Sequence, residues 1–337
     1  MIHLCLYTSR REHFLPLFLH FVKRMKPENK GKITLSILAY GDASRFDRYI
    51  RELAESSVKA RVVIFSSDYM EKTLWAARQP FEYTAKIDED VFVNNHVLDF
   101  IVENITALDD PRNLVLTPIL TNGIPTCDLF LDQVFDERER AELHKIFLET
   151  RFGPLWGTDY SFLNKYTVAA SKWDSEAFYA SVAAWPHHYK GIHPVRVNLL
   201  AQMKINEIVL RSKAELFVER KNFRLKEDDH PYLCNNLFFI RTDKWRRIVE
   251  DQSLYVDSFD EVPLSRYKQT SGEKWVVVDG SFGIHTMFNA VYGQGDAERE
   301  EERFVRAFAR RLGIELPRPR FKLSRLRRRL KRMLTGR

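Results

Sequence analysis

One stretch decides the predicted fold, because a β-prone segment runs into three acids and then into a second apolar run: Tyr83-Thr84-Ala85-Lys86-Ile87-Asp88-Glu89-Asp90-Val91-Phe92-Val93. Asp88 and Asp90 are two residues apart, so on extended backbone they share one face while Glu89 points to the other. Two carboxylates on one side of a bare strand end suit a hard divalent cation that keeps open positions for phosphate oxygens. An isolated Asp-x-Asp also describes a solvated acidic turn, so the surrounding sequence has to decide between the two.

The segments around this stretch alternate between strand and helix patterns. Apolar strand patterns lie at Ile2–Tyr7, Ile33–Ala39, Arg61–Phe65, Tyr83–Asp88 and Leu114–Pro118, with helical spacing of apolar residues between them. Strands that alternate with helices of this length predict right-handed crossovers and a parallel sheet covered by helices on both faces. Ligands in such α/β folds bind beyond the carboxyl ends of the strands. Those ends carry Ser9, Asp42, Ser66 and the Asp88–Asp90 acids.

From about residue 121 the alternation gives way to a helical, aromatic-rich region, which we interpret as an insertion or subdomain over residues 121–225. Its Trp, Tyr and His side chains could stack on sugar rings or anchor a partner, but a buried core is the simpler explanation. A metal site at His187, His188 and His193 is not favoured, because no carboxylate pattern accompanies them. We therefore expect an α/β half at 1–120, the insertion or subdomain at 121–225, a further part of the same α/β domain at 226–295, and C-terminal helices with a basic amphipathic tail at 296–337.

The cysteine content and the hydrophobic pattern bear on the compartment. The three cysteines are scattered without a Cys-x-x-Cys pair, which argues against a disulfide framework or a zinc site and fits a reducing compartment. No apolar run follows a basic N-terminal segment, and none approaches the ~18 residues of a membrane-spanning helix. With 45% hydrophobic and 29% charged residues, the composition is that of a globular protein. We expect a cytoplasmic protein without a transmembrane anchor.

The positive charge is concentrated at the C-terminus. Residues 318–337 hold ten of the Lys and Arg side chains of a chain whose net charge is +7, so residues 1–317 carry a net −3. A body of that sign does not favour nucleic-acid binding. Leu323, Leu326 and Leu330 recur at helical spacing among the cations, and a basic amphipathic helix is typical of membrane-surface binding. We predict that residues 316–337 bind the anionic inner face of the membrane. A nucleic-acid-binding tail and a solubilising tail remain alternatives.

In order along the chain, four short motifs resemble those of nucleotide-sugar-dependent glycosyltransferases of the GT-A fold. The motifs are Lys86-Ile87-Asp88-Glu89-Asp90-Val91, Asn235-Asn236-Leu237-Phe238-Phe239-Ile240-Arg241, Phe259-Asp260-Glu261-Val262-Pro263-Leu264 and Gly283-Ile284-His285. Their order is more specific than any one of them, and the likeness covers residues 1 to about 290. The overall pattern is similar to bacterial enzymes that build surface polysaccharide or lipopolysaccharide. The resemblance implies a Rossmann-like α/β fold with a mixed, mostly parallel sheet. It also implies that residues 1–120 form the nucleotide-sugar-binding half and that residues 226–295 form the acceptor-side part of the same GT-A domain.

The resemblance also implies a donor site with a divalent cation, Mn²⁺ or Mg²⁺. It places the cation on Asp90, with Asp88 contacting the ribose or the metal and His285 as a further ligand. An imidazole ligand favours Mn²⁺ slightly over Mg²⁺. The base, ribose and phosphates of the donor would be held by residues near the strand ends and on the preceding helix: Thr8, Ser9, Arg10, Asp42, Arg78 and Lys86.

An inverting transferase needs one carboxylate to take the proton of the acceptor hydroxyl as its oxygen attacks the anomeric carbon. Asp260 or Glu261 matches the order of the family, because this pair follows the predicted acceptor strand. The acids Asp228 and Asp229 precede that strand and are the second choice. A retaining enzyme needs no such base, so one sequence leaves the stereochemistry open.

The predicted function is metal-dependent transfer of a sugar from a nucleotide-sugar donor to a hydroxyl of a glycan or lipid-linked acceptor. Two alternatives remain. A nucleotidyltransferase usually carries a Gly-rich phosphate loop after the first strand, and Thr8–Phe14 contains no glycine. The second alternative is a non-catalytic binding or scaffold protein of the same fold, which would turn over no sugar nucleotide.

Overall fold

The structure is a computed structural model that describes most of the chain. The described residues are 1–9, 11–66, 69–121, 126–149, 154–155, 158–159, 198–229, 233, 235–254, 261–286 and 294–318. The predicted histidine cluster at His187, His188 and His193 lies outside them, and so does most of the predicted membrane-binding segment, from residue 319 onwards. Within the described residues, no helix combines the length and the apolar character needed to cross a membrane.

The first part of the chain forms four parallel strands joined by helices, as predicted. The strands are β1 Ile2–Tyr7, β2 Ile33–Tyr40, β3 Lys59–Phe65 and β4 Tyr83–Asp88, in the order β3-β2-β1-β4. The helices of this part are α1 Leu15–Lys23, α2 Pro27–Lys30, α3 Asp47–Glu55 and α4 Tyr69–Ala77. Because the four strands run in one direction, their last residues form a single edge of the sheet, which we call the carboxyl edge. Its members are Tyr7, Tyr40, Phe65 and Asp88.

The second part of the chain adds strands to the same sheet, some parallel and some antiparallel to the first four. Its strands are β5 Val91–Val93, β6 Asn113–Leu120, β9 Arg224–Asp228, β10 Leu237–Arg241 and β11 Lys274–His285, while β7 Pro154–Leu155 and β8 Thr158–Asp159 pair separately. From β4 the order continues β10-β6-β11-β5, with β9 against β11. β10 is antiparallel to both of its neighbours, whereas β6 and β11 are parallel to each other. The expected α/β architecture with a mixed sheet is confirmed.

The remaining helices follow these strands. They are α5 Asn95–Glu103, α6 Thr126–Val134, α7 Glu137–Glu149, α8 Leu199–Ile208, α9 Ala214–Glu219, α10 Thr242–Glu250, α11 Glu261–Ser271 and α12 Gln294–Arg311. A π-helical turn at Val209–Lys213 joins α8 to α9. In α9, the Phe217 ring packs against the rings of Phe21, Phe282 and Phe308, at centroid distances of 5.4, 5.3 and 5.2 Å. The described end of the predicted 121–225 insertion therefore packs into the main core.

The alternation of side chains along the central strands separates two faces of the sheet. Leu4 and Leu6 of β1 pack in the large core with α1, while Cys5 and Tyr7 pack with Ala76 of α4 on the other face. β4 alternates in the same way, since Ala85 and Ile87 belong to the large core. Helices on both faces and buried residues along β1, β2 and β4 are what the continuous apolar runs of the sequence predict.

β11 bends near its middle, and the bend brings its end over the carboxyl edge. The pairing of β11 with β6 shifts between Val278 and Gly283, and Gly280 within this bulge has a φ of +80°. Gly283 has no room for a side chain, because a Cβ there would lie 2.6 Å from Leu120 Cδ2 and 2.9 Å from Ile119 O. Beyond the bulge, β11 pairs antiparallel with β5, so that His285 lies opposite Val91. His285 is thereby placed beside the acids that precede β5.

Candidate active site

The centre of the candidate site is a carboxylate–imidazole pair at the carboxyl edge. His285 Nε2 lies 3.7 Å from Asp90 Oδ1, and the two side chains are 0% and 4% exposed. The backbone fixes this approach, because Thr286 N donates to Asp90 O at 3.0 Å. A separation of 3.7 Å is too long for a hydrogen bond. Two ligands that each lie about 2.0–2.6 Å from one cation would be separated by a distance of this size.

The three acids are arranged differently from the sequence prediction. β4 ends at Asp88, and Glu89 and Asp90 form a turn before β5. The reason is that β5 pairs with β11 rather than continuing alongside β10. Glu89 does not point away into solvent: it is 5% exposed and accepts a hydrogen bond from Ser9 Oγ at 3.0 Å. Asp90 is also buried rather than displayed on a bare strand end.

Asp88 is the more exposed acid and is held by neighbours of its own. Lys86 Nζ lies 3.0 Å from Asp88 Oδ1, and Asn236 Nδ2 donates to Asp88 Oδ2 at 3.1 Å. Lys86, which is 2% exposed, also donates to Asn235 O at 2.8 Å and lies over the Tyr7 ring. The predicted acceptor strand therefore borders Asp88 directly. Because Asp88 is compensated in this way, the carboxylate best placed for a cation is that of Asp90.

Arg11 and Glu301 belong to the site, and the sequence analysis did not select either of them. Arg11 NH2 lies 2.7 Å from Glu301 Oε2, and Arg11 NH1 lies 3.9 Å from Asp90 Oδ2. Glu301 also accepts a hydrogen bond from Thr286 Oγ1 at 2.9 Å. α12 is tied down once more by His13 Nε2 and Glu302 Oε2, which are 2.6 Å apart. α12, the last helix that the structure describes, thus contacts Arg11 and Thr286, which lie next to Asp90 and His285.

The electrostatics of this group follow from burial and from the closeness of three charges. Burial raises the pKa of Glu301, Arg11 opposes this increase, and the Asp90 carboxylate adds to it. Burial lowers the pKa of Arg11, but the Glu301 and Asp90 carboxylates more than offset this and leave it above its usual value. The guanidinium is therefore a permanent positive charge at the site.

Lys72 is a buried cation at the carboxyl edge that the sequence analysis missed. It is 1% exposed, donates from Nζ to Thr8 O at 2.6 Å, and lies 3.6 Å from the centroid of the Tyr40 ring. Burial lowers its pKa to about 8, although the nearby Glu89 and Asp88 carboxylates raise it. Lys72 is in the first half of α4, which begins at the carboxyl edge. It therefore occupies the region in which the sequence analysis expected Arg78.

The structure corrects two predicted site residues, because both lie at the opposite edge of the sheet. Arg78 follows the end of α4, and a helix between parallel strands runs back towards their N-terminal ends; its Nε lies 2.8 Å from Glu250 Oε1. Asp229 follows β9, which pairs with the first residues of β11, and it lies 3.8 Å from Lys274 Nζ. A cavity of about 310 Å³ also lies at that edge, lined in part by Thr34, Arg61 and Phe81, so it is not part of the candidate site.

Two other predicted donor-binding residues, Thr8 and Asp42, follow the ends of β1 and β2. Thr8 is buried and its N donates to Leu38 O at 2.9 Å, and Asp42 accepts from Ser44 N at 2.9 Å as the cap of a short turn. Arg10 and Asp260 are outside the described residues. Glu261 is the first residue of α11, and its side chain is outside them as well. The catalytic base therefore stays a prediction.

The residues present fit a cation that is shared with a ligand rather than one enclosed by protein. Among the described residues, no group of three or more His, Cys, Asp or Glu side chains is placed to hold a metal ion. Asp90 and His285 supply two ligands. A cation that keeps several waters and is held by one or two protein groups together with substrate phosphates needs no more than that.

The comparisons with known proteins are as follows. No protein-family model matches the chain, and no curated protein matches it. A crystal structure of GalNAc-T7 with UDP, GalNAc and Mn²⁺ is similar, with 11% identity over 87% of this chain and 44% of that one, and a TM-score of 0.42. The mannosyltransferase PcManGT from Pyrobaculum calidifontis, in complex with GDP-Man and Mn²⁺, has 12% identity over 94% and 66%, at 0.42.

The TarS 1–349 structure from S. aureus has 10% identity over 94% of this chain and 66% of that chain, with a TM-score of 0.39. The present chain thus spans between 44% and 66% of these three proteins. Likeness at this level is a partial similarity of shape and carries no activity over to this chain.

Proposed function

We propose that this protein is a metal-dependent glycosyltransferase that moves a sugar from a nucleotide-sugar donor to a hydroxyl group of a glycan or lipid-linked acceptor. The observation that supports this most is the buried Asp90–His285 pair, 3.7 Å apart at the end of β4. An α/β fold binds ligands at this edge of the sheet. A carboxylate and an imidazole there are suited to Mn²⁺ or Mg²⁺, with some preference for Mn²⁺.

The charges around the pair fit a reaction in which a nucleoside diphosphate leaves. The acceptor oxygen forms a bond to the anomeric carbon, the bond from that carbon to the diphosphate oxygen breaks, and the hydroxyl proton passes to a carboxylate. A divalent cation bound at Asp90 and His285 would act as a Lewis acid for the leaving diphosphate. Lys72 and Lys86 add positive charge at the same edge, where negative charge develops.

The proton acceptor and the stereochemistry belong to the same proposal. Asp260 or Glu261, at the beginning of α11, is the proposed base of an inverting reaction. Asp229 is no longer a candidate, because it lies at the opposite edge. An Asp260→Asn variant and a Glu261→Gln variant should identify the base, since only loss of the base lowers kcat strongly while donor binding is kept.

Calorimetry of donor nucleotides tests the function. The wild-type protein is titrated with UDP, GDP, dTDP and CMP, each with and without Mn²⁺, and one of them should bind only when Mn²⁺ is present. Asp90→Ala should abolish that binding, whereas Asp132→Ala, at a carboxylate on the surface of α6, should keep it. Unchanged binding in Asp90→Ala would remove the metal assignment. A screen of sugar nucleotides with Mn²⁺ that shows no turnover would favour a binding or scaffold protein instead.

The proposed setting is the synthesis of surface polysaccharide at the inner face of the membrane. The support is the basic amphipathic pattern of residues 316–337 and the lipid-linked acceptors such a location would supply. Each cation near an anionic leaflet contributes about 1 kcal/mol, so vesicles with phosphatidylglycerol should bind the protein and phosphatidylcholine vesicles should not. Replacing Arg327, Arg328 and Arg329 by Gln should release it. Binding to both kinds of vesicle alike would contradict the proposed electrostatic attachment.

A further inference from the structure

Arg11 lies between two carboxylates and is much closer to one of them. Its NH2 and Nε atoms are 2.7 and 2.9 Å from Glu301 Oε2, whereas its NH1 atom is 3.9 Å from Asp90 Oδ2. The Arg11 side chain is 19% exposed and those of Glu301 and Asp90 are 3% and 4% exposed. Two short contacts to a single oxygen indicate that Glu301 is the principal partner of the guanidinium.

Glu301 holds a second contact that bears on the same place. Its other oxygen, Oε1, accepts from Thr286 Oγ1 at 2.9 Å, and Thr286 in turn donates from its backbone N to Asp90 O at 3.0 Å. Thr286 directly follows His285 in the chain. Glu301 therefore fixes both the Arg11 guanidinium and the segment that carries His285. It does not itself contact the side chain of Asp90 or His285.

We propose that Glu301 is a positioning residue that holds the Arg11 guanidinium away from Asp90 and so keeps the Asp90 carboxylate available to a divalent cation. The proposal rests on the function proposed above. A guanidinium and a divalent cation compete for the same carboxylate oxygens. An arginine deprived of its buried partner keeps its charge, and an uncompensated buried charge is unfavourable. Without Glu301, the nearest carboxylate contact of Arg11 would be Asp90.

If Arg11 competes with the metal ion for Asp90, removing Arg11 should restore the Mn²⁺ affinity that is lost in a Glu301 variant. A purely structural role of Glu301 predicts no such restoration. Glu301→Gln keeps an oxygen that can accept from Thr286 but removes the negative charge that holds Arg11. We expect this variant to bind Mn²⁺ at least fivefold more weakly than the wild type. Adding Arg11→Gln removes the competitor, so the double variant should return to within twofold of Arg11→Gln alone.

The experiment follows the EPR signal of free Mn²⁺ during titration, in the presence of saturating UDP or GDP, whichever the wild-type protein binds together with Mn²⁺. Thermal unfolding of each variant serves as the check on folding. Arg11→Gln alone should bind Mn²⁺ at least as tightly as the wild type. This single variant therefore tests the proposal even if Glu301→Gln does not fold.

The outcomes distinguish a failure of the proposed function from a failure of the proposed role of Glu301. A wild-type protein that binds no Mn²⁺ with any nucleoside diphosphate contradicts the proposed function itself. A wild type that binds Mn²⁺, together with a folded Glu301→Gln variant that binds it equally well, contradicts only the role of Glu301. Weaker binding in Glu301→Gln that the second substitution does not restore also overturns that role, as does weaker binding in Arg11→Gln alone.

Discussion

His285 Nε2 lies 3.7 Å from Asp90 Oδ1 because β11 pairs with β5 in a register that sets His285 opposite Val91. Asp90 immediately precedes Val91, so the strand pairing itself delivers the imidazole to the carboxylate. The bulge before Gly283 is what allows the end of β11 to reach β5. The Asp90–His285 pair therefore depends on the bulge in β11 and on the pairing of β11 with β5.

Replacing His285 tests whether the imidazole is a metal ligand. His285→Asn should weaken Mn²⁺ binding at least tenfold and Mg²⁺ binding less, because imidazole nitrogen favours the transition metal. Calorimetry with UDP or GDP and each cation measures both affinities. The matched control is His20→Asn, at a partly buried histidine of α1 packed on Phe21, which should change neither affinity. An equal loss for Mn²⁺ and Mg²⁺ would indicate a structural role for His285.

Gly283 should be intolerant of any side chain. A Cβ at this position would meet Ile119 O at 2.9 Å, and a backbone atom between paired strands cannot move away cheaply. Gly283→Ala should lower the free energy of unfolding in urea by about 1–3 kcal/mol, the usual effect of overpacking. The control is Gly31→Ala, where the φ is −63° and the nearest atom to a Cβ is 3.6 Å away, and where no loss is expected. Equal stability of the two variants would contradict the close packing of β11 against β6.

The sequence predicts the parts of the site that depend on local pattern, and it fails where long-range pairing decides. The runs at Ile2–Tyr7 and Tyr83–Asp88 coincide with β1 and β4, so the position of Asp88 at a strand end could be predicted from the sequence alone. The turn at Glu89 and Asp90 could not, because it depends on β5 pairing with β11. Arg11 and Glu301 meet only because α12 lies beside the segment that follows β1, and no local spacing connects the two residues.

Lys72 is different, since a signal for it was present in the sequence. In a β-α-β unit the helix returns antiparallel to the strands, so its first turns and not its last ones lie at the carboxyl edge. That rule selects Lys72 over Arg78 before any coordinates are known. Arg78 follows the end of the same helix, and that direction places it near Glu250 at the opposite edge.

Lys72 should make stability depend on pH above neutrality. Burial lowers its pKa from 10.5 to about 8, so the unfolded chain holds this proton more tightly than the folded one. The charged side chain therefore disfavours folding below pH 8, and the effect disappears as the pH rises from about 8 to 10.5. Lys72→Met should gain stability relative to the wild type at pH 7, and roughly 3 kcal/mol of that gain should vanish by pH 10.5. Urea unfolding at the two pH values measures it; a difference that stays constant would mean that Lys72 titrates normally.

Arg78 provides the opposite test, because it lies at the edge of the sheet opposite to the proposed donor site. Its guanidinium pairs with Glu250 at the far edge of the sheet and is 60% exposed. Surface ion pairs of this kind contribute about 0–1 kcal/mol, so Arg78→Gln should change neither the stability by more than that nor the KM for the donor by more than twofold. Lys86→Gln, by contrast, removes the cation that contacts Asp88 and should raise the donor KM. Steady-state kinetics on both variants measure the donor KM. A large increase in KM for Arg78→Gln with no increase for Lys86→Gln would mean that the donor phosphates bind at the edge opposite to the carboxyl edge.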